Sequence, residues 1–271
     1  MGLAIHTVAG VLSAAATATV QAFTPATGDS FSVRNFGPTA MASLELLSSD
    51  LTDPGDVIVR SPAMHDVEKA IHVHAAADDP VELLPRSFVQ SLVAQDTLIV
   101  ELNPDAAPAA ADKNVVAIGI YYSDLPGASA RLHLPGDIAG NIKYVRHVRV
   151  DVTGNATPGD WSSATVESTE DIWHANKDYA ILGYYVVGEF AAVALHGDAT
   201  SNYKVGGPGS TAYVDTRDYF WQTSIDRQTP HIPVINAADK GSTYVDVVSK
   251  GASGTGSIYL VMAELVANLS S

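Results

Sequence analysis

Two histidines one residue apart, His72 and His74, are the side chains of this chain best spaced for chemistry. Alternate residues of an extended strand share a face, so the His72-Val73-His74 run offers two imidazoles to one metal ion. A complete centre also needs a carboxylate soon after and another histidine from a later strand. The carboxylates that follow are Asp78, Asp79 and Glu82, and the later histidines are His133 and His147, all at unfavourable spacing. The competing expectation, which the spacing favours, is a polar strand face with Val73 turned inward.

Other runs carry a chemical outline without its partners. Gly28-Asp29-Ser30 matches the nucleophile block of GDS-type esterases, but the required late Asp-x-x-His appears only as Asp171–His174 in mid-chain, and no Gly-x-Ser-x-Gly elbow exists. A turn leading into the strand Phe31–Arg34 is the better expectation. Gly206-Gly207-Pro208-Gly209 has the glycine content of a phosphate loop, yet lacks the following Lys-Ser/Thr and has a rigid proline at its centre. It reads as a tight surface loop. Tyr219-Phe220-Trp221 is either an aromatic platform for sugars or bases, or packing for a short helix. Asn155-Ala156-Thr157 and Asn268-Leu269-Ser270 match the glycosylation acceptor pattern. No catalytic set assembles, no cofactor is expected, and the chain reads as a non-enzyme.

The elements that must position these residues are short strands. Asp56–Arg60, Ile71–His74, Thr97–Leu102 and Val115–Tyr122 read as strands in the first half. Tyr144–Val152, Tyr179–Val187, Ala191–Leu195, Tyr244–Val248 and Ile258–Val266 do so in the second. In Tyr144–Val152 the residues Val148, Val150 and Val152 alternate with His147, Arg149 and Asp151, the pattern of a half-buried strand. Tyr179–Val187 is apolar on both faces, as a central covered strand would be. Turn chemistry such as TDPGD, DLPGA, HLPGD and TGNATPGD separates the runs. Helical signals are limited to Thr39–Leu47, Pro62–Ala70, Thr216–Arg227 and one turn begun by Thr169 and Asp171. The expected class is all-β, with tandem jelly-roll or β-sandwich domains and a few short helices. Proline-rich and glycine-rich stretches near the middle place the domains at 1–135, including an N-terminal segment 1–22, and at 136–271; a single larger sandwich is the alternative.

Composition narrows the partners. Only 17% of the 271 residues are charged and 46% are hydrophobic, against about 25% charged in an average domain. This points to surface buried against other subunits, or to a neutral β-protein surface rich in small residues. The net charge of −15, with no Lys or Arg before Arg34, disfavours direct binding to nucleic acid. The absence of cysteine excludes disulfides and thiolate sites. Segment 1–22 has the apolar outline of a signal peptide but no positive start, and no run is long and apolar enough for a membrane span. It is expected to pack along a subunit interface or add a strand to a neighbour, or else to form the first strand of its own sheet.

The length, the small-residue segment Gly2–Ala22, the Pro/Gly loops and the strands YAILGYYVV and IPVINAADKGSTYVDVV give the chain a texture that resembles bacteriophage and viral β-barrel capsid proteins of the jelly-roll type. The resemblance implies a structural virion protein, a major coat subunit that assembles with many copies of itself and with other virion proteins. Its location would be the virion, assembled in the host cytoplasm. Ile5, Val8, Val11, Trp173, Tyr219, Phe220 and Trp221 are the expected interface residues. The alternatives are a carbohydrate-binding or adhesion module using Tyr219–Trp221 and acidic loops such as Asp50–Asp56, and, more remotely, a cupin-like metalloenzyme using His72 and His74.

Overall fold

A computed structural model describes residues 2–13, 19–64, 70–77, 81–107, 113–167, 172–209 and 215–270. Met1, residues 14–18 of the N-terminal segment, most of the expected helix after Met64, Asp78, Asp79, and the turn at Thr169 and Asp171 lie outside the described residues.

The first half contains β1 (Ala4–Ser13), β2 (Gln21–Ala22), β3 (Thr24–Pro25), β4 (Ala42–Asp50), β5 (Gly55–Arg60), β6 (Ile71–Ala75), β7 (Val81–Glu82), β8 (Gln90–Leu92), β9 (Ile99–Pro104) and β10 (Lys113–Tyr122). The second half contains β11 (Leu132–His133), the helix α1 (Pro135–Ala139), β12 (Ile142–Thr153), β13 (Ser162–Thr165), β14 (Asp178–Val187), β15 (Ala192–His196) and β16 (Val205–Pro208). The helix α2 (Tyr219–Arg227) follows, then β17 (Ile232–Asn236), β18 (Tyr244–Val248) and β19 (Thr255–Leu265).

These strands form the same roll twice. In the first, one sheet runs β3-β1-β10-β4-β7, with β8 also on β4, and the facing sheet runs β2-β9-β5-β6. In the second, the sheets run β11-β17-β14-β19-β12 and β13-β18-β15-β16. We count β2 with β3, and β7 with β8, as interrupted single strands, and set β11 aside as an extra edge. Each half then has eight strands, ordered first-eighth-third-sixth in a long sheet and second-seventh-fourth-fifth in a short one. Two facing antiparallel sheets of eight strands wound in this way are a jelly roll. The chain is a tandem jelly roll.

Alternation explains which residues fill each roll. Val148, Val150 and Val152 of β12 enter the second core, while His147, Arg149 and Asp151 face out. Val8, Val116, Ile118 and Ile120 fill the first core beside Leu44 and Leu47. Both interiors are filled by buried aliphatic and aromatic side chains. The C-terminal end is tied in by buried Asp178, whose carboxylate accepts the backbone N–H groups of Leu269 and Ser270 at 2.5 and 2.6 Å.

Three sequence expectations change. Thr39–Leu47, expected helical, gives way to β4, buried along its whole length between β10 and the edge strands; two-sided burial overrides the helix-like spacing of Leu44 and Leu47. The glycines expected to make a surface loop form the buried strand β16 instead. A residue with no side chain is needed there, because a Cβ on Gly206 would lie 2.7 Å from Thr7 Oγ1 of the other roll. Of the two placements for the N-terminal segment, Ala4–Ser13 takes the intramolecular one and pairs with β10 along its whole length.

Candidate functional site

The outer face of the first long sheet meets the outer face of the second short sheet, and this joint concentrates the chain's buried polar chemistry. On the first roll the face is built from Thr7 and Ala9 of β1, Ala117 and Gly119 of β10, and Ser48 of β4. On the second it is built from Ala192, Gly206 and Val248. Small residues let the two sheets approach closely. Thr7 Oγ1 accepts the N–H of Gly206 at 3.0 Å, and Ser48 Oγ donates to the carbonyl of Ala191 at 3.0 Å.

A bulge aims the central carboxylate. Along β4 the register slips, with Gly119 opposite Leu46 and Ile120 opposite Leu44, so Glu45 is the extra residue. Bulges of this kind redirect a side chain. Glu45 Oε2 lies 2.8 Å from Arg227 Nη1 and 2.5 Å from His231 Nε2, and Oε1 accepts from Ser43 Oγ at 2.8 Å. Arg227 also donates to the carbonyl of Arg86 at 2.6 Å and to that of Glu45 itself. Tyr121 stacks on the His231 ring, with centroids 5.3 Å apart. Burial by itself would raise the Glu45 pKa; the hydrogen bond and charge of His231 and the charge of Arg227 outweigh it and hold the carboxyl at about 2.

Helix α2 delivers Arg227. Phe220, Thr223, Ser224 and Arg227 fall on one buried face at helical spacing, and Gln228 closes the helix in the left-handed conformation at φ 55°. Beyond Glu45, Asp29 Oδ1 is 3.6 Å from Lys204 Nζ, and its Oδ2 accepts from Trp161 Nε1 at 2.7 Å. Asp50 Oδ1 is 3.1 Å from Lys250 Nζ. In all three ionic ties the acid belongs to the first roll and the base to the second.

Glu82 differs from the other acids at the joint. It is half-buried, and Tyr219 Oη donates to its Oε1 at 3.4 Å. Burial pushes its pKa up to about 7 against the opposing charges of Arg227 and Arg86 and the Tyr219 hydrogen bond. The folded state therefore keeps this proton up to about pH 7, while the unfolded chain loses it near the ordinary value of 4.5. Stability from this group is full below that ordinary value and is lost as the pH rises through 7. Glu82→Gln is expected to stabilise the protein by about 1–3 kcal/mol at pH 8 and to leave it unchanged near pH 4.5. Urea unfolding at the two pH values measures this.

The structure disperses the candidates for catalysis. His72 and His74 share the outer face of β6, with Val73 turned toward the core. His74 Nδ1 lies 3.1 Å from Asp56 Oδ1. Glu82 sits on the other sheet of the roll, while His133 and His147 belong to the second roll on β11 and β12. Asp29 of the GDS run ties the rolls together, and Ser30 Oγ donates to Ser32 Oγ at 2.9 Å. Asn155 accepts the N–H of Thr157 and donates to the carbonyl of Trp161, closing a turn.

Two clusters that spacing did not reveal have the outline of catalytic groups. Asp246, fully buried, accepts from Ser163 Oγ on one oxygen and faces His196 Nδ1 at 2.5 Å with the other. The carboxylate stands between serine and histidine, so the hydroxyl has no base of the kind nucleophilic catalysis needs. Glu264, also fully buried, gathers Lys143 at 3.0 Å, His174 at 2.6 Å, Tyr179 at 3.2 Å and the Tyr144 hydroxyl. Burial would raise its pKa, but those hydrogen bonds hold it at about 2. The partners of Glu264, itself on β19, come from β12, β14 and the segment before β14, so no local motif announces them.

The expected interface residues lie mostly inside the chain. Ile5, Val8, Trp173, Tyr219 and Phe220 are buried, and Val11 is half-buried against the joint. Trp221, half-buried, packs on the apolar cluster around Ile232 and Val234. Val8 lies in the core of the first roll, while Ile5, Trp173, Tyr219 and Phe220 belong to the core of the second, so most of them are spent on packing within one molecule.

No family model matches the chain, and no curated protein matches it. Among solved structures it is similar to a chain from work on the triple jelly roll fold and turret assembly in an archaeal virus. That match has 10% identity and a TM-score of 0.25, and covers 98% of this chain and 59% of the other. The chain thus spans less than two thirds of that protein's length. The exported protein XepA of PBSX matches at 9% identity and TM-score 0.27, over 94% of this chain and 86% of the other. The major capsid protein P2 of bacteriophage PM2 matches at 11% identity and TM-score 0.23, over 98% of each chain.

Proposed function

We propose that this chain is a structural coat subunit of a virion, a major capsid protein of a bacteriophage or related virus, that assembles with many copies of itself. One observation carries the reading. The same eight-strand roll is built twice, and the two are locked sheet against sheet into one block by buried ionic ties. Jelly rolls serve as viral shells, lectins and cupins. The cupin use needs histidines aimed into the barrel, whereas His72 and His74 face outward and the described interior is filled. The lectin reading rested on Tyr219–Trp221 and the loop from Asp50 to Asp56. Tyr219 and Phe220 are buried, and Asp50 is paired with Lys250.

In this reading the domains are residues 1–135 and 136–271, except that β11, inside the first range, pairs with β17 and so joins the second roll, and the working surfaces are the sheet faces that the monomer leaves uncovered. The other partners are further virion proteins, and the site of action is the virion, built in the host cytoplasm. The net charge of −15 leaves genome neutralisation to another component. No helix among the described residues is long and apolar enough to cross a membrane. Sedimentation velocity over a wide concentration range tests the proposal. Species larger than the 28.4 kDa chain are expected to grow with concentration, and a monomer at every concentration and salt would overturn it.

A further inference from the structure

Where α2 lies on the joint, the two rolls leave a small cavity between them. Glu45 on β4 and Gly119 on β10 line it from the first roll, and Gly206 on β16, Thr223 and Arg227 on α2 and His231 line it from the second. The residues around it are all buried, so the space belongs to the interior. The volume open to the centre of a water-sized sphere is ≈ 10 Å³. That is about the room one water molecule needs, and it is too little for an organic ligand or a hydrated ion.

Thr223 singles this cavity out. The residue is 1% exposed, and its hydroxyl has no hydrogen-bond partner among the described residues. A threonine inside a helix can return its hydroxyl to the carbonyl one turn back, and Thr223 does not. A buried hydroxyl costs stability unless something meets it. Arg227 follows one turn later on the same buried face of α2. Its Nη1 group, 2.8 Å from Glu45 Oε2, carries a second N–H. Glu45 Oε1 accepts from Ser43 Oγ and has a lone pair for another donor. Cavities lined by apolar groups alone stay dry, whereas a buried water needs several polar partners. A hydroxyl, a guanidinium and a carboxylate line this one.

We propose that the cavity is a binding site for one water molecule, held between Thr223 of the second roll and Glu45 of the first, with Arg227 as a further donor. Water both donates and accepts, so it meets the Thr223 hydroxyl while giving a hydrogen to the carboxylate. Thr223 and Glu45 share no direct hydrogen bond, and the water supplies the link between them. A bridge of this kind is nearly as favourable as a direct bond. The site belongs to the folded single chain, so it stands or falls apart from the coat-subunit reading.

A crystal structure of the full chain, at a resolution that shows ordered water, tests the site directly. A density peak within hydrogen-bond distance of Thr223 Oγ1 and of Glu45 or Arg227 is expected, and featureless density there would overturn the proposal. Thr223→Val then asks whether the hydroxyl holds the water, because valine keeps the shape and removes the polar group. If the water is bound, the variant loses a satisfied bond, and its melting temperature is expected to fall by about 2–4 °C. If the cavity is dry, the variant removes an unmet hydroxyl and melts higher than the parent, which contradicts the proposal. A peak that touches only Glu45 and Arg227, with melting unchanged in Thr223→Val, also overturns the assignment to Thr223. Should Thr223→Val fail to fold, the density of the parent decides alone.

Discussion

Arg227→Leu is expected to destabilise the protein by about 3–5 kcal/mol, as removal of one partner from a buried ion pair does. The side chain is almost wholly enclosed, and its loss leaves the Glu45 carboxylate to His231 and Ser43 alone. It also strands the carbonyls of Arg86 and Glu45, which Arg227 now satisfies. An unpaired buried acceptor adds its own desolvation cost. Arg227→Lys keeps the charge but cannot make this fork of contacts, so it is expected to recover only part of the loss. The effect also has a pH signature. Glu45 is held at about 2 in the folded state against an ordinary value of 4.5, so its contribution is present above 4.5 and lost as the pH falls toward 2. Urea unfolding of the parent and both variants, repeated between about pH 3 and 7, measures cost, recovery and slope together.

Gly206→Leu is expected to pry the rolls apart. A Cβ at this position lies 2.7, 2.8 and 3.0 Å from the Oγ1, Cγ2 and Cβ atoms of Thr7, and a branched side chain reaches further. Overpacking of this kind costs about 1–3 kcal/mol, and here the strain falls on the contact between two rolls that each have their own core. The cooperative unfolding of the parent is therefore expected to separate into two transitions, one for each roll. Gly251→Ala, in open space with an ordinary backbone conformation, is the control and should stay within about 0.5 kcal/mol of the parent. Differential scanning calorimetry distinguishes one transition from two.

Strands were legible in the sequence where one face is dry and the other wet. Tyr144–Val152 announces β12 by alternation; Tyr244–Val248, buried on both faces, was legible as an apolar run and coincides with β18. What a local window cannot contain was not legible. Thr39–Leu47 looks helical by leucine spacing, and only the presence of β10 on one side and the second roll across the face makes Ala42–Asp50 a strand. Gly206 and Gly207 look like loop residues because their reasons for being small are distant: Thr7, 199 positions away, for Gly206, and Tyr184 and Tyr219 for Gly207. Helix α2 was visible, but its buried Arg227 was not, since an arginine in a last turn ordinarily faces solvent. The histidine pair drew attention by spacing alone, whereas the tightest histidine contacts, to Glu45, Asp246 and Glu264, join residues far apart in the chain. Sheet topology brings these groups together, and pairwise spacing carries no trace of it.

Electron microscopy of the purified chain at assembly concentrations tests the central claim most directly. Closed particles are expected, with averaged density that shows two jelly rolls per chain locked side by side. A field of single 28.4 kDa chains under every condition, or an assembly in which the two rolls of one chain are separated from each other, would contradict it.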